Sequence, residues 1–193
     1  MNKLLLALIL SCTLVYSCKS KKNEEEQPAN YFPVLSFLKS QVMNVDTSFY
    51  RIIKVQKENG LTDTSLIKRE EFKKFAKDFT AIPDISSDDL KDEYTETKLY
   101  DEAINRFILS YTPKEADAEI QRQDITISPS GDSSKVETIY IDWLIDKGDS
   151  LVQKKMFWQM DKSFQVITTI SKPGQPERLK TIQVSWNQFA PAE

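Results

Sequence analysis

Residues Val136–Trp186 read VETIYIDWLIDKGDSLVQKKMFWQMDKSFQVITTISKPGQPERLKTIQVSW, and this stretch decides the fold. Apolar and polar residues alternate along most of it, and short segments containing Asp, Gly or Pro interrupt the alternation. A period of two is typical of β-strands, and turn residues between such runs are typical of hairpins. The stretch therefore predicts four antiparallel strands, at Val136–Ile145, Leu151–Met160, Phe164–Ser171 and Leu179–Trp186.

Further strands are predicted upstream of this stretch. Ile120–Ile127 and Phe49–Val55 are rich in residues that favour strands. The segment 97–112 is ambiguous, because Arg106–Tyr111 favours a strand whereas Asp101–Ala103 tolerates a helix. We interpret the whole segment as one long strand and keep a partly helical segment as the alternative.

Helices are predicted between residues 33 and 94. Pro33–Asn44 has apolar residues at helical spacing and Asn30 before it as a cap. Lys68–Thr80 carries one apolar stripe, and Ser86-x-x-Asp89 resembles a capping box before a short helix that ends near Tyr94. The predicted fold class is α+β: a curved antiparallel meander of about six or seven strands with two or three N-terminal helices on one face.

The amino terminus has the composition of a signal segment. Met1–Lys3 is basic, and Leu4–Leu10 is wholly apolar. The apolar run extends with little polarity to Val15, and it is too short to span a bilayer, which requires about 20 apolar residues. A basic start followed by a short apolar core is typical of a secretory signal peptide.

The end of this segment, Val15–Tyr16–Ser17–Cys18, resembles the lipobox of bacterial lipoproteins. Ser17 fits the small residue before the cysteine, whereas Tyr16 departs from the small residue usual at its position. The resemblance covers about the first twenty residues. It implies that a diacylglycerol is attached to the Cys18 sulfur and that cleavage before Cys18 makes it the first mature residue. The only other cysteine, Cys12, would be removed with the signal.

These features divide the chain into three parts. Residues 1–17 are the expected signal peptide, residues 18–30 the lipidated cysteine with a charged tether, and residues 31–193 one globular domain. Lys19 follows the cysteine, and the resemblance then implies the outer membrane, since aspartate there often retains lipoproteins at the inner membrane. Glu24–Glu26 are similar to the acidic residues of surface-exposed lipoproteins, so the periplasmic and surface faces both stay open.

The composition excludes several classes of function. The chain contains no histidine, which removes Ser–His–Asp catalysis, Cys–His nucleophiles and histidine metal sites. A net charge of −3 without a basic patch argues against nucleic-acid binding. None of the four glycines belongs to a nucleotide-binding motif. We therefore expect no enzyme activity, no metal, no cofactor, no nucleotide and no nucleic acid.

Two groups of side chains are candidates for a site. Trp143, Trp158 and Trp186 could face a ligand if neighbouring strands align them, although tryptophans at alternating strand positions more often fill a core. Carboxylate pairs could serve a glycan hydrolase if two of them face each other across a cleft. The candidate pairs, which surface exposure explains better, are Asp88–Asp89, Asp142 with Asp146, and Asp101–Glu102.

Three functions follow from these observations. The first is a lipid-anchored cell-envelope protein that acts by non-catalytic binding or assembly, with the membrane and another envelope protein as its partners. The second is a carrier or chaperone for an apolar ligand, a lipid or a lipoprotein, by analogy of shape alone. The third is a carboxylate-based hydrolase of envelope glycans.

Overall fold

The computed structural model describes residues 31–49, 51–130 and 133–187. Within these residues a helix precedes a first hairpin, two short helices follow it, and seven further strands come after them. The helices are α1 (Val34–Thr47), α2 (Arg69–Phe75) and α3 (Lys77–Thr80). The strands are β1 (Ile52–Glu58), β2 (Leu61–Ile67), β3 (Tyr94–Asp101), β4 (Arg106–Pro113), β5 (Ile120–Ser130), β6 (Ser133–Asp146), β7 (Leu151–Gln159), β8 (Ser163–Ser171) and β9 (Arg178–Ser185).

All nine strands form one antiparallel sheet in the order β2-β1-β9-β8-β7-β6-β5-β4-β3. Strands β3 to β9 are consecutive neighbours, and β1 pairs with β9, which places the first hairpin beside the last strand. The sheet is neither closed nor strongly curled, and β2 and β3 are its edges. The α+β class and the antiparallel meander predicted from the sequence are confirmed.

The helices cover one face of the sheet, which we call the inner face. Helix α1 buries Val34, Leu38, Val42 and Val45, a spacing that keeps them on one side of a helix. Phe72 of α2 and Phe79 of α3 are fully buried against rings of the sheet. The other face, which we call the outer face, carries none of these helical contacts.

The predicted strand 97–112 is wrong in its boundaries, because this segment forms a hairpin. Strands β3 and β4 pair from Tyr94–Pro113 to Asp101–Arg106, with a turn between them. The Asp101 carboxylate accepts hydrogen bonds from the backbone N–H groups of Ala103 and Ile104, and Asn105 adopts a positive φ of 53°. Asp and Asn are residues that stabilise such turns, and here they reverse the chain.

A second hairpin also raises the number of strands above six or seven. Strand β1 begins at Ile52, three residues later than the predicted Phe49, and β2 was not predicted. Asn59 and Gly60 both have positive φ between the two strands, as a tight hairpin turn requires. The sequence of β2, LTDTSLI, lacks a clear alternation of apolar and polar residues. Most of its residues are exposed at the edge of the sheet, so no buried face imposes one.

The helix predictions are confirmed for the first two regions and wrong for the third. Helix α1 contains most of the predicted Pro33–Asn44, while the cap proposed at Asn30 lies outside the described residues. The predicted helix Lys68–Thr80 divides at Ala76 into α2 and α3. Residues 86–93 instead form turns and a 3₁₀ helix at Lys91–Glu93, and the Ser86 N–H and hydroxyl both donate to the Asp84 carboxylate.

Candidate functional surface

The predicted lipidation residue, Cys18, lies outside the described residues, as does the tether. Both therefore stay predictions. Within the part of the chain that the structure describes, no helix is both long enough and apolar enough to cross a bilayer.

Trp158 and Trp186 belong to a cluster of five rings on the inner face. Trp158 stacks on Phe164 with ring centroids 5.4 Å apart and meets Trp186 at 5.3 Å. Phe72 and Phe79 approach from the helices, with centroids 5.3 Å from Trp186 and 5.1 Å from Trp158, respectively. Edge-to-face and stacked pairs at these distances are favourable beyond their burial. These two indoles hold the helices to the sheet.

Trp143 lies further along the inner face, outside this cluster, and is 9% exposed. Its indole N–H donates to the Glu119 carboxylate at 3.1 Å. The Lys154 ammonium lies 5.3 Å from the centre of its ring and also pairs with Asp78 of α3. Trp143 thus lies at the border of the core, held by a hydrogen bond and by a cation–π contact with Lys154.

The structure thus brings Trp158 and Trp186 together and leaves Trp143 apart. Trp186 is also one wall of an open groove, whose other lining residues are Gln41, Asn44, Val45, Ser48 and Asp161. Contact of the three tryptophans with a ligand stays a prediction, and for Trp158 it would require the helices to move.

Each acidic pair that was a candidate for hydrolysis has at least one member engaged in local structure. Asp142 accepts hydrogen bonds from the Gln153 amide at 3.0 and 3.1 Å. Asp146 accepts from the Gly148 backbone N–H in a turn. Asp88 accepts from Lys91 at 2.6 Å, and this hydrogen bond lowers the pKa of the Asp88 carboxyl. Asp101 caps the β3–β4 turn through two backbone N–H groups.

The described residues contain no group of three or more acidic or cysteine side chains able to hold a metal ion. A lysine side chain contacts the turn Asp146–Asp149. The Asp149 carboxylate accepts a hydrogen bond from Lys172 at 2.9 Å, which is the largest cause of the lowered pKa of that carboxyl. The segment 146–149 therefore acts as a hairpin turn with an ion pair.

A polar row of side chains crosses the outer face from one edge of the sheet to the other. We call it the outer row. Each member is paired in register with the next one on the neighbouring strand. From β3 to β2 its members are Thr97, Ser110, Asp124, Tyr140, Phe157, Gln165, Gln183, Val55 and Thr64. Two aromatic residues, Tyr140 and Phe157, lie side by side at its centre, and Phe157 is 39% exposed. The Asp124 carboxylate and the Gln165 amide flank them in the row.

Charged groups adjoin the two central rings of the outer row. Arg122 donates to both oxygens of the Asp124 carboxylate, at 3.0 and 2.8 Å. Burial raises the pKa of the Tyr140 hydroxyl, and Asp142 adds to the effect. An aromatic pair surrounded by amides, hydroxyls and a charged pair can contact a polar macromolecule through stacking and hydrogen bonds together.

A second exposed feature, which is apolar, lies at the β3–β4 turn. We call its four side chains the apolar tip: Leu99, Tyr100, Ile104 and Phe107, which are 57%, 45%, 54% and 44% exposed. Tyr100 and Phe107 are paired in register, with ring centroids 4.8 Å apart. The Tyr100 hydroxyl also donates to the Asn105 side chain at 2.6 Å.

Neither the outer row nor the apolar tip was predicted from the sequence. The signal for the outer row lies in the same alternation that predicted the strands, since Gln165 and Gln183 occupy the polar positions. The signal for the tip lies in Asp101 and Asn105, two turn residues inside a segment interpreted as one strand.

No protein-family model matches this chain, and neither a curated protein nor a solved structure shows significant similarity to it.

Proposed function

We propose that this chain is a lipid-anchored protein of the bacterial cell envelope and that its domain acts by non-catalytic binding or assembly. The domain would stay close to the membrane through Cys18 and the residues that follow it. The outer face would contact another macromolecule of the envelope. The single observation that carries the proposal is the cysteine at the end of a short apolar segment, directly before a charged stretch.

The anchor is supported by the arrangement of residues 1–30. Each methylene buried in a bilayer contributes about 0.8 kcal/mol, so two or three acyl chains hold a protein firmly. The mature chain would then need no membrane-spanning helix. The polar residues that follow Cys18 offer little apolar surface of their own to bury.

Binding through the outer face is supported by the contrast between the two faces. The inner face already packs against helices through buried rings. The outer row keeps two aromatic rings and a series of amides and hydroxyls on the uncovered side. Aromatic residues are enriched at the centres of protein interfaces, where they supply much of the binding energy.

The two alternative functions receive less support from the same geometry. A carrier requires a concave sheet around an apolar cavity, whereas this sheet is not strongly curled and aromatic rings pack between it and the helices. A glycan hydrolase requires two carboxyls across a cleft, whereas Asp88 and Asp142 engage local donors instead.

The anchor is tested by Cys18→Ala in the full chain, with Cys12→Ala as the matched control. We expect Cys18→Ala to abolish labelling by a radioactive or clickable fatty acid and to release the protein from membranes, because the thioether is lost. Cys12→Ala should change neither measurement, since that cysteine lies inside the cleaved segment. Unchanged labelling of Cys18→Ala would contradict the proposal.

The binding role is tested by purifying the intact lipidated chain from solubilised envelopes. We expect a stoichiometric partner that is lost with Phe157→Asp, which places a carboxylate at the centre of the outer row. Met43→Asp, on the exposed side of α1, is the control and should keep the partner. A partner retained by Phe157→Asp, or no partner at all, would contradict binding through the outer face.

A further inference from the structure

The apolar tip differs from the outer row in the directions that its side chains take. Tyr100 and Phe107 lie on the inner face of the hairpin, whereas Leu99 lies on the outer face because it alternates with Tyr100. Ile104 lies in the turn itself. A groove on a protein would contact only one face of the hairpin. A fluid lipid surface, in contrast, can contact side chains that point in several directions.

Two ionic groups next to the turn, Arg106 and Asp101, are engaged within the protein, whereas Glu102 in the turn is exposed. The Arg106 guanidinium pairs with Glu137 and donates to the carbonyl oxygens of Ile104 and Asn105 at 3.1 and 2.9 Å. The Asp101 carboxylate accepts from two backbone N–H groups of the turn. These bonds hold the turn in one conformation and reduce the number of charges that lipid contact would have to desolvate.

The first described residues, Tyr31 and Phe32, are hydrogen-bonded to the same two strands that carry the apolar tip. The Tyr31 hydroxyl donates to the Tyr94 carbonyl at 2.7 Å, and the Phe32 N–H donates to the Tyr111 hydroxyl at 3.0 Å. Tyr94 and Tyr111 lie at the end of the hairpin opposite the tip, and eight residues of β3 span roughly 25 Å. The 12 residues between Cys18 and Tyr31 give 13 Cα–Cα steps, which reach at most about 45 Å. The anchor and the tip can therefore meet the same bilayer.

From these observations we propose that the apolar tip enters the headgroup region of the bilayer that holds the Cys18 anchor. This inference rests on the proposed anchor. Tyrosine and other aromatic side chains are favoured at that depth because they combine an apolar body with a polar end. The tip and the anchor together would fix the orientation of the sheet, with β3 nearest the lipid and β2 furthest from it.

The test uses the full lipidated chain in vesicles of phosphatidylcholine, with no other protein present. An environment-sensitive fluorophore is attached to Ile104→Cys or, as the matched control, to Leu61→Cys. Leu61 is 76% exposed and lies at the turn of the β1–β2 hairpin, at the opposite edge of the sheet. We expect a blue-shifted emission and quenching by brominated lipid at position 104, and neither effect at position 61. Adding Phe107→Ser should reduce both effects at position 104.

Vesicle flotation separates the possible failures. Protein that floats while position 104 emits as it does in water would overturn the tip contact and leave the anchor intact. Equal quenching at positions 104 and 61 would overturn the orientation. Protein that does not float would count against the anchor and, with it, the tip contact. A tip that docks on a protein instead of lipid would give the aqueous emission in these vesicles.

Discussion

Two adjacent rows of side chains lie on opposite faces of the same sheet and differ in burial. The outer row contains Asp124, Tyr140, Phe157, Gln165 and Gln183. Each has an immediate chain neighbour in a row on the inner face, which we call the inner row and which contains Ile125, Ile139, Trp158, Phe164 and Val184. All five inner-row residues are fully buried. One residue of offset separates a row that packs under helices from a row of mostly polar side chains.

The helices are needed because of the inner row. Burying a large side chain contributes about 1.5–3 kcal/mol relative to leaving it exposed. The inner row supplies such side chains on five neighbouring strands, and Phe72 and Phe79 pack against two of them, Phe164 and Trp158. The outer row contributes less to folding, so packing restricts its residue types less.

The largest expected effect separates two phenylalanines on neighbouring strands. Phe164→Ala leaves a cavity beneath the helices and should destabilise the domain by about 3–5 kcal/mol. Phe157→Ala, on the outer face, should cost about 1 kcal/mol or less, since its ring is already partly exposed. Urea unfolding of both variants followed by tryptophan fluorescence measures the difference. Equal losses would contradict the division between the two faces.

An intermediate effect concerns polar groups enclosed in the core. The Gln123 side-chain amide on the inner face is buried, and its nitrogen has no hydrogen-bond partner. Leaving such a donor unpaired costs about 1–3 kcal/mol. Gln123→Met, which keeps the side-chain length, should therefore raise the free energy of unfolding by about 1 kcal/mol.

The matched control for that variant is Gln183→Met in the outer row, where the glutamine is exposed. It should change stability by less than about 0.5 kcal/mol, as is usual for surface positions. Thermal and urea unfolding of the two variants provide the comparison. A destabilised Gln123→Met would mean that this amide nitrogen has a partner in solution.

The smallest effect appears only in alkaline solution. Burial is the main cause of the raised pKa of two hydroxyls, those of Tyr111 on the inner face and Tyr140 on the outer face. The pKa of Tyr111 is raised more than that of Tyr140. The folded state then retains protons that the unfolded state loses above its ordinary pKa of about 10. The stability from these groups is complete below pH 10 and falls as the pH rises above it.

Replacing the inner tyrosine should therefore flatten this alkaline loss more than replacing the outer one. Tyr111→Phe also loses the bonds to the Phe32 N–H and to Glu96, so its stability at pH 7 must be measured as the baseline. Tyr140→Phe is the control. Urea midpoints between pH 7 and 11 give the two slopes, and identical slopes would contradict the difference in burial.

The alternation of apolar and polar residues predicted the strands in which a period of two is clear. Strands β6 to β9 alternate clearly because one face is buried by aromatic and branched residues. The β3–β4 hairpin was missed because the polar positions of β3 at the sheet edge obscure the alternation. Strand β2 was missed for the same reason, since most of its residues are exposed.

The candidate surface was less predictable than the fold. The tryptophans were candidates for contact with a ligand, yet Trp158 and Trp186 pack with Phe72 in the core. Register between strands decides which polar residues share a row, and a single sequence does not reveal register. Tyr140 and Phe157 become neighbours only through the pairing of β6 with β7.

The central claim is that acyl chains on Cys18 hold this domain at the membrane. Mass spectrometry of the mature protein purified from membranes tests it most directly. We expect an amino-terminal peptide that begins at Cys18 and carries the mass of a diacylglycerol on sulfur, with or without an amide-linked acyl chain. A chain that begins at another residue, or a Cys18 with a free thiol, would contradict the account.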